Sequence, residues 1–188
     1  YKASMRGHTD LQKENEAAAW HKSASEFYSN LASRCVASSH VIDVFACSLD
    51  QMGMLEMKDC VARTGGVCVM ADSFGQSVFK ESYKRMFSRY DDDAPECDAG
   101  HLVMGFAATL EVQTSREFKV MGAIGPCSSL NKKSSSVSDL DIGESGTFAW
   151  AMGGIDPSTT IALYFDITNP ESNALPPGKR RFLRSEER

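Results

Sequence analysis

Apolar and polar positions along this chain change their period once, near residue 100, and two kinds of architecture follow. Trp20, Ala24, Phe27, Tyr28, Leu31 and Cys35 recur mainly at three- and four-residue steps. Such spacing makes one apolar stripe on a helix, predicted from about Asp10 to Arg34 and expected to lie on a sheet. Thr9 or Asp10 can cap it, and Glu14 and Glu16 suit the positive end of its dipole. In the stretch His40 to Asp50 (HVIDVFACSLD), Val41, Ile42, Val44, Phe45, Ala46 and Cys47 are apolar and only Asp43 interrupts them. A near-continuous run of β-branched and aromatic residues predicts a strand buried on both faces, inside a parallel sheet covered by helices. Met54, Leu55 and Met57 predict a short helix or turn between Leu49 and Lys58. After the Thr64-Gly65-Gly66 break, Val67 to Ala71 predicts a second buried strand, with enough chain between the two for a right-handed crossover. Ser73 and Gln76 have capping-box spacing ahead of a helix whose apolar face is Phe74, Val78, Phe79, Ser82, Met86 and Phe87. Residues 10–90 therefore read helix, strand, short helix, strand, helix, which is part of an α/β layered fold.

The acidic run Tyr90 to Glu96 (YDDDAPE) ends that pattern. Its like charges repel, which favours a loop at a domain boundary over a metal site. Beyond Gly100 the period becomes two. Leu102, Met104 and Phe106 alternate, then Leu110 and Val112, and Glu117-Phe118-Lys119-Val120 continues the pattern. Thr114-Ser115-Arg116 sits between two such runs as a hairpin turn. Gly125-Pro126 marks another turn, Lys132 to Ser138 (KKSSSVS) a polar loop, and Thr147 to Met152 a strand around Trp150. Ile161, Leu163, Phe165 and Ile167 share one face of a further strand from Thr159 to Thr168. Residues 101–168 are thus expected to form an antiparallel β-sandwich or barrel. The tail from Asn169 to Arg188 is rich in Pro and charge and is expected to be mobile.

Composition narrows the partners. At 188 residues the chain suits one large or two small domains with a real core. A formal net charge of -5, without RNP, zinc-finger or helix-turn-helix signatures, argues against a nucleic-acid partner. No apolar run is long enough to span a membrane. No signal peptide is present and the first residue is Tyr1 rather than Met, so the chain is expected to be an internal region of a longer protein. Cys35, Cys47, Cys60, Cys68, Cys97 and Cys127 form no CxxC pair and have no His at zinc spacing. Cys47 and Cys68 fall within apolar strands, so free thiols in a reducing compartment are expected rather than a disulfide framework.

Candidate chemistry is sparse. Asp50 and Asp72 follow the carboxyl ends of the two predicted strands, the edge where open α/β sheets bind ligands. They could hold Mg²⁺, but no DxSxS-type loop completes such a site, so the reading preferred is that each caps the next helix or turn. His8, His21, His40 and His101 are scattered, with no Ser or Cys nucleophile in a triad context. Arg116 is expected to be solvated at its turn rather than to act as an arginine finger. Neither GxxxxGK[ST] nor a GxGxxG after a strand occurs. No residue is singled out as catalytic, cofactor-binding or metal-ligating.

Three segments in order, HVIDVFACSLDQMGMLEMK, GGVCVMADSFGQSVFKESYKRMF and GFAATLEVQTSREFKVMGAIGPCSSLN, closely resemble the GTPase-activating subunit of the inner COPII vesicle coat. The likeness extends over roughly residues 10–170, taking in the helix around His21 to Arg34 and the strand Thr159 to Ile167. The TSRE turn followed by GAIGPC is its most specific part, since fold class alone demands neither. The resemblance implies an α/β plus all-β chain: residues 1–93 as the C-terminal part of a von Willebrand A-like trunk domain with a partial parallel sheet, residues 94–178 as a partial β-sandwich or barrel domain, and residues 179–188 as a charged tail. It also implies a non-enzymatic structural coat subunit that activates a Sar-type small GTPase during endoplasmic reticulum to Golgi transport. Its partners would be the cargo-adaptor subunit, in a heterodimer, the GTPase and the outer coat proteins. It would be cytoplasmic, peripherally bound to endoplasmic reticulum membranes and COPII vesicle coats. The family's catalytic arginine lies in a later gelsolin-like domain and its zinc in an earlier finger, both outside this sequence, so no cofactor is expected here. The stretch Asp91 to Gly100 reads as an insertion, and the tail after Gly178 also departs from the family pattern.

Two other readings compete. A von Willebrand A-like adhesion or ligand-binding domain without GTPase-activating role would use a divalent metal, for which the loop motif is missing. An α/β enzyme would need a nucleophile–base pair that the sequence does not show. Two buried strands are not a whole sheet, so this stretch by itself is expected to be poorly soluble or to associate.

Overall fold

A computed structural model describes residues 7–12, 19–91, 99–168 and 183–187. The first helical pattern is realised in pieces, α1 (His8–Gln12) and α2 (His21–Ala37). Its stripe packs mainly on the next helix, α3 (Met54–Thr64), rather than directly on a sheet. Ala32 is fully buried there, while Trp20 and Phe27, placed on the stripe by spacing, are exposed. The short helix expected near Leu49 starts later and runs longer, because Gly53 and Gly65 both adopt left-handed backbone and bracket it.

β1 (Val44–Cys47) and β2 (Cys68–Ala71) pair in parallel, with Val44 opposite Cys68 and Cys47 opposite Ala71, and α3 forms the connection between them. The expectation of burial on both faces fails. Ala46 is buried, but Cys68 and Met70 are exposed. The reason is layer geometry. α4 (Ser77–Met86) covers the face carrying Phe45 and Val69, where the Phe45 ring meets Phe79 at 6.1 Å and Tyr83 at 5.7 Å. On the other face the two-stranded sheet leaves Met70 uncovered. The capping box is not formed either. α4 begins at Ser77 with Gln76 as an uncapped N-cap, and the Ser73 hydroxyl instead accepts from the Gly75 amide within the preceding turn.

The period-two half forms two antiparallel sheets. One has the order β5 (Ser128–Ser129), β7 (Ala149–Ile155), β3 (Gly105–Thr114), β9 (Leu183–Glu187). The other has the order β6 (Glu144–Ser145), β4 (Phe118–Ile124), β8 (Ala162–Ile167). The Thr114-Ser115-Arg116 turn therefore does not close a hairpin. β3 pairs with β7 and β9, β4 pairs with β6 and β8, and the turn carries the chain from one sheet to the other. Both sheets contribute to one core of Val112, Val120, Ala123, Cys127, Trp150 and Met152. Trp150 is fully buried, and its indole N–H donates to the Glu144 carbonyl at 2.8 Å, as a buried indole requires. The expectation of a mobile tail is corrected over its described part, because Leu183–Glu187 adds β9 to the edge of β3.

Candidate interaction surface

The residues weighed for chemistry do not converge. Asp50 and Asp72 are exposed at the ends of β1 and β2, and neither caps a helix, since Gly53 and Gln76 hold the N-cap positions. The Asp50 amide donates to the Ser48 hydroxyl, and the Asp72 carbonyl accepts from the Cys47 thiol. Among the described residues no group of three or more His, Cys, Asp and Glu side chains could hold a metal ion. The His40 ring nitrogen Nδ1 lies 2.8 Å from the Ser38 carbonyl, and His101 is exposed. His21, at the start of α2, sits with Nδ1 3.2 Å from Oε1 of the buried Glu56 on α3, tying the two helices. Arg116 is exposed at its turn, as expected. The side chain of His8 and the residues Asp92 to Glu96 of the acidic run, with Cys97, lie outside what the structure describes.

Sequence reasoning missed the junction between the two halves. Arg63, in the last turn of α3, donates through Nη1 to the Ser29 carbonyl at 3.3 Å and the Ser33 hydroxyl at 3.1 Å, both on α2. Through Nη2 it donates to the Ser128 hydroxyl of β5 at 3.0 Å, and its Nε lies 3.9 Å from Glu144. Glu144 in turn accepts from the Ser129 amide at 2.9 Å. One guanidinium thus joins two helices to both sheets of the sandwich, using the several donors that make arginine suited to such a joint. Beside it the backbones touch. A Cβ at Gly153 would collide with the Thr64 carbonyl, and one at Gly65 with the Gly154 carbonyl. The Gly65-Gly66 pair was legible only as a chain break; together with Gly153-Gly154 it permits close backbone approach. A cleft of about 330 Å³ follows this seam, lined in part by Val41, Met86, Phe87, Leu102, Phe106 and Ile155.

The remaining feature is an unpartnered apolar face on the α/β half. Around β2 and α4, Met70 is 58% exposed and Phe74 67%, with Tyr83 and Phe87 also more than half exposed. These rings pack at tilted angles, Phe74 on Phe79 at 5.0 Å and Tyr83 on Phe87 at 5.1 Å, so the face is contiguous rather than scattered. Contiguous apolar surface of this kind marks a contact with further protein.

Comparison with known proteins turns this geometry into an assignment. Residues 2–87 match the model of the Sec23/Sec24 trunk domain, and residues 105–182 match that of the Sec23/Sec24 beta-sandwich domain. The chain belongs to the Sec23/Sec24 family. Its α/β half matches the trunk and its antiparallel half the β-sandwich. Among relatives, the protein transport protein SEC23 F of Arabidopsis thaliana is 45% identical over 170 residues, 90% of this chain. The chain spans 21% of that relative's length. Among solved structures, that of the human COPII-coat protein Sec24c matches with a TM-score of 0.59 at 18% identity, over 85% of this chain and 17% of the other. At that identity the likeness concerns the fold. The two-stranded parallel sheet and the exposed α4 face both lie within the trunk match. Among the described residues no helix is long and apolar enough to cross a membrane.

Proposed function

We propose that this chain is part of a structural subunit of the COPII coat, on the side of the coat whose subunit stimulates a Sar-type small GTPase. The reading continues that the parent protein pairs with the cargo-adaptor subunit, docks on the GTPase and the outer coat proteins, and works peripherally on endoplasmic reticulum membranes and vesicle coats in the cytoplasm. The observation that carries it is the 45% identity to SEC23 F, which runs through trunk and β-sandwich alike rather than through one domain. Residues 1–93 are assigned to the trunk and 94–178 to the β-sandwich domain; the two matched stretches, 2–87 and 105–182, support that division, although the second runs a little into the 179–188 tail. No catalytic, cofactor or metal residue is assigned to this stretch. The activating arginine and the zinc finger belong, on this reading, to other parts of the parent protein.

The test is a pull-down of the intact parent protein with the GTP-loaded Sar-type GTPase and the adaptor subunit, followed by a GTP hydrolysis assay. Ternary complex formation with faster hydrolysis is expected. Absence of binding to both partners overturns the reading.

A further inference from the structure

The hydroxyl groups of the polar loop Lys132 to Ser138 differ sharply in their surroundings. Ser134 and Ser136 hold each other, Oγ to Oγ at 2.6 Å, and the Ser136 amide donates back to the Ser134 hydroxyl. Ser138 is buried, with its hydroxyl towards Asp166. Ser135, at the tip of the turn, is exposed and its hydroxyl has no partner among the described residues.

The loop is pinned at both ends and free in the middle. At one end the Lys132 amide donates to the Thr147 hydroxyl and the Phe148 amide donates to the Lys132 carbonyl. At the other, the Val120 amide donates to the Ser136 carbonyl at 2.7 Å and the Ser138 amide to the Val120 carbonyl at 2.8 Å. Residues 133–135 between these anchors make no backbone hydrogen bond to another element. The stretch before Ser135 has no regular structure, so it is open to pairing in an extended groove. Lys132 and Lys133 stand three and two positions before Ser135. Lys132 is drawn to Glu111 at 2.6 Å, whereas Lys133 is exposed and has no ion pair among the described residues.

We propose that Ser135 is a phosphorylation site for a serine/threonine kinase that reads basic residues on the amino-terminal side of its target. Paired lysines two and three positions ahead of a hydroxyl are the charge pattern that an acidic substrate groove selects. The reaction uses ATP. The Ser135 Oγ attacks the γ-phosphorus, a new O–P bond forms, the bond to the β,γ-bridging oxygen breaks, ADP leaves, and the hydroxyl proton passes to the kinase's catalytic base. The product carries roughly two negative charges two residues from Lys133, whose free ammonium can pair with them. The loop is thereby stiffened at its tip without touching the core. This inference stands whichever coat role the parent protein has.

The experiment treats the intact parent protein with ATP and a basophilic kinase catalytic subunit and maps phosphate by peptide mass spectrometry. Phosphate is expected on Ser135, Ser135→Ala is expected to abolish it, and Lys133→Ala is expected to slow it roughly tenfold through lost charge complementarity. Ser134→Ala removes the hydroxyl that holds the Ser136 amide but leaves the anchors at Lys132, the Ser136 carbonyl and Ser138 in place, and is expected to leave Ser135 modified. Both Ser135→Ala and Lys133→Ala remove groups without partners in the fold, so both should melt with the unaltered protein. Phosphate mapped to Ser134 or Ser136 in preference to Ser135, no incorporation into the folded protein, or an unchanged rate in Lys133→Ala overturns the proposal.

Discussion

Residue environments grade the described thiols from buried through half-buried Cys35 and Cys47 to exposed. Cys60 and Cys127 are buried, whereas Cys68 is exposed on β2. The Cys127 thiol is pushed up to about 11, by burial first and the Glu144 carboxylate second. Burial likewise raises Cys60, with Cys35 and Asp59 adding to it. A group whose folded pKa is raised stabilises the fold at pH below its unfolded value and loses that contribution as pH climbs. For Cys127 the loss falls between about pH 9 and pH 11, and amounts to about 2–3 kcal/mol. Alkylation with iodoacetamide at pH 8, followed by mass spectrometry, should therefore label Cys68 within minutes and Cys127 only in denaturant. Replacing Cys127 with Ala should flatten the fall in melting temperature above pH 9. Rapid labelling of Cys127 in the native state would contradict the packing described here. At this scale the sequence was a fair guide to the sulfur chemistry, since free thiols were expected. It was a poor guide to Arg63, because nothing local says that a helix-end arginine reaches a serine 65 positions away.

Elements show where periodicity suffices and where it does not. The helix and strand types were legible in residues 20–90 and 101–168, because periods of 3.6 and 2 dictate which side chains share a face. Pairing was not. Thr114-Ser115-Arg116 has hairpin chemistry, yet β3 and β4 lie in different sheets, because a turn sets only the local path and the sheets are chosen by which faces bury Trp150 and Val120. Over its described residues the charged tail was also misjudged. Leu183–Glu187 pairs with β3 from Leu110 to Thr114, giving that strand a neighbour on its outer edge. Deleting residues 183–188 from the parent protein should raise exchange by roughly one to two orders of magnitude for the amides between Leu110 and Thr114 that donate to β9, whereas the Val112 amide keeps its acceptor, the Phe148 carbonyl. Hydrogen–deuterium exchange on a peptide spanning β3 reads this directly, and unchanged protection there would show that β9 adds nothing to the sheet.

The whole molecule joins a closed half to an open one. The sandwich buries its core between two sheets, while the trunk half offers two strands and a bare aromatic face on α4. Residues 1–188 made alone should therefore associate, with light scattering and elution volume changing with concentration. A monomer with a sharp, concentration-independent unfolding transition would remove that expectation. Alternation of apolar residues was enough to state that an α/β segment precedes an all-strand one, and the order of motifs was enough to point to the coat family. Both are properties of chemistry along the chain, which neighbouring positions express without help. Contacts across the chain were decided elsewhere. The exposed faces of Met70 and Cys68, the exchange of sheets after Thr114, and the joint in which Arg63 meets Ser128 while Thr64 touches Gly153 all depend on how distant surfaces fit. Burial and pairing are settled by volume and by competition for hydrogen-bond partners, and those exist only once the whole chain is folded.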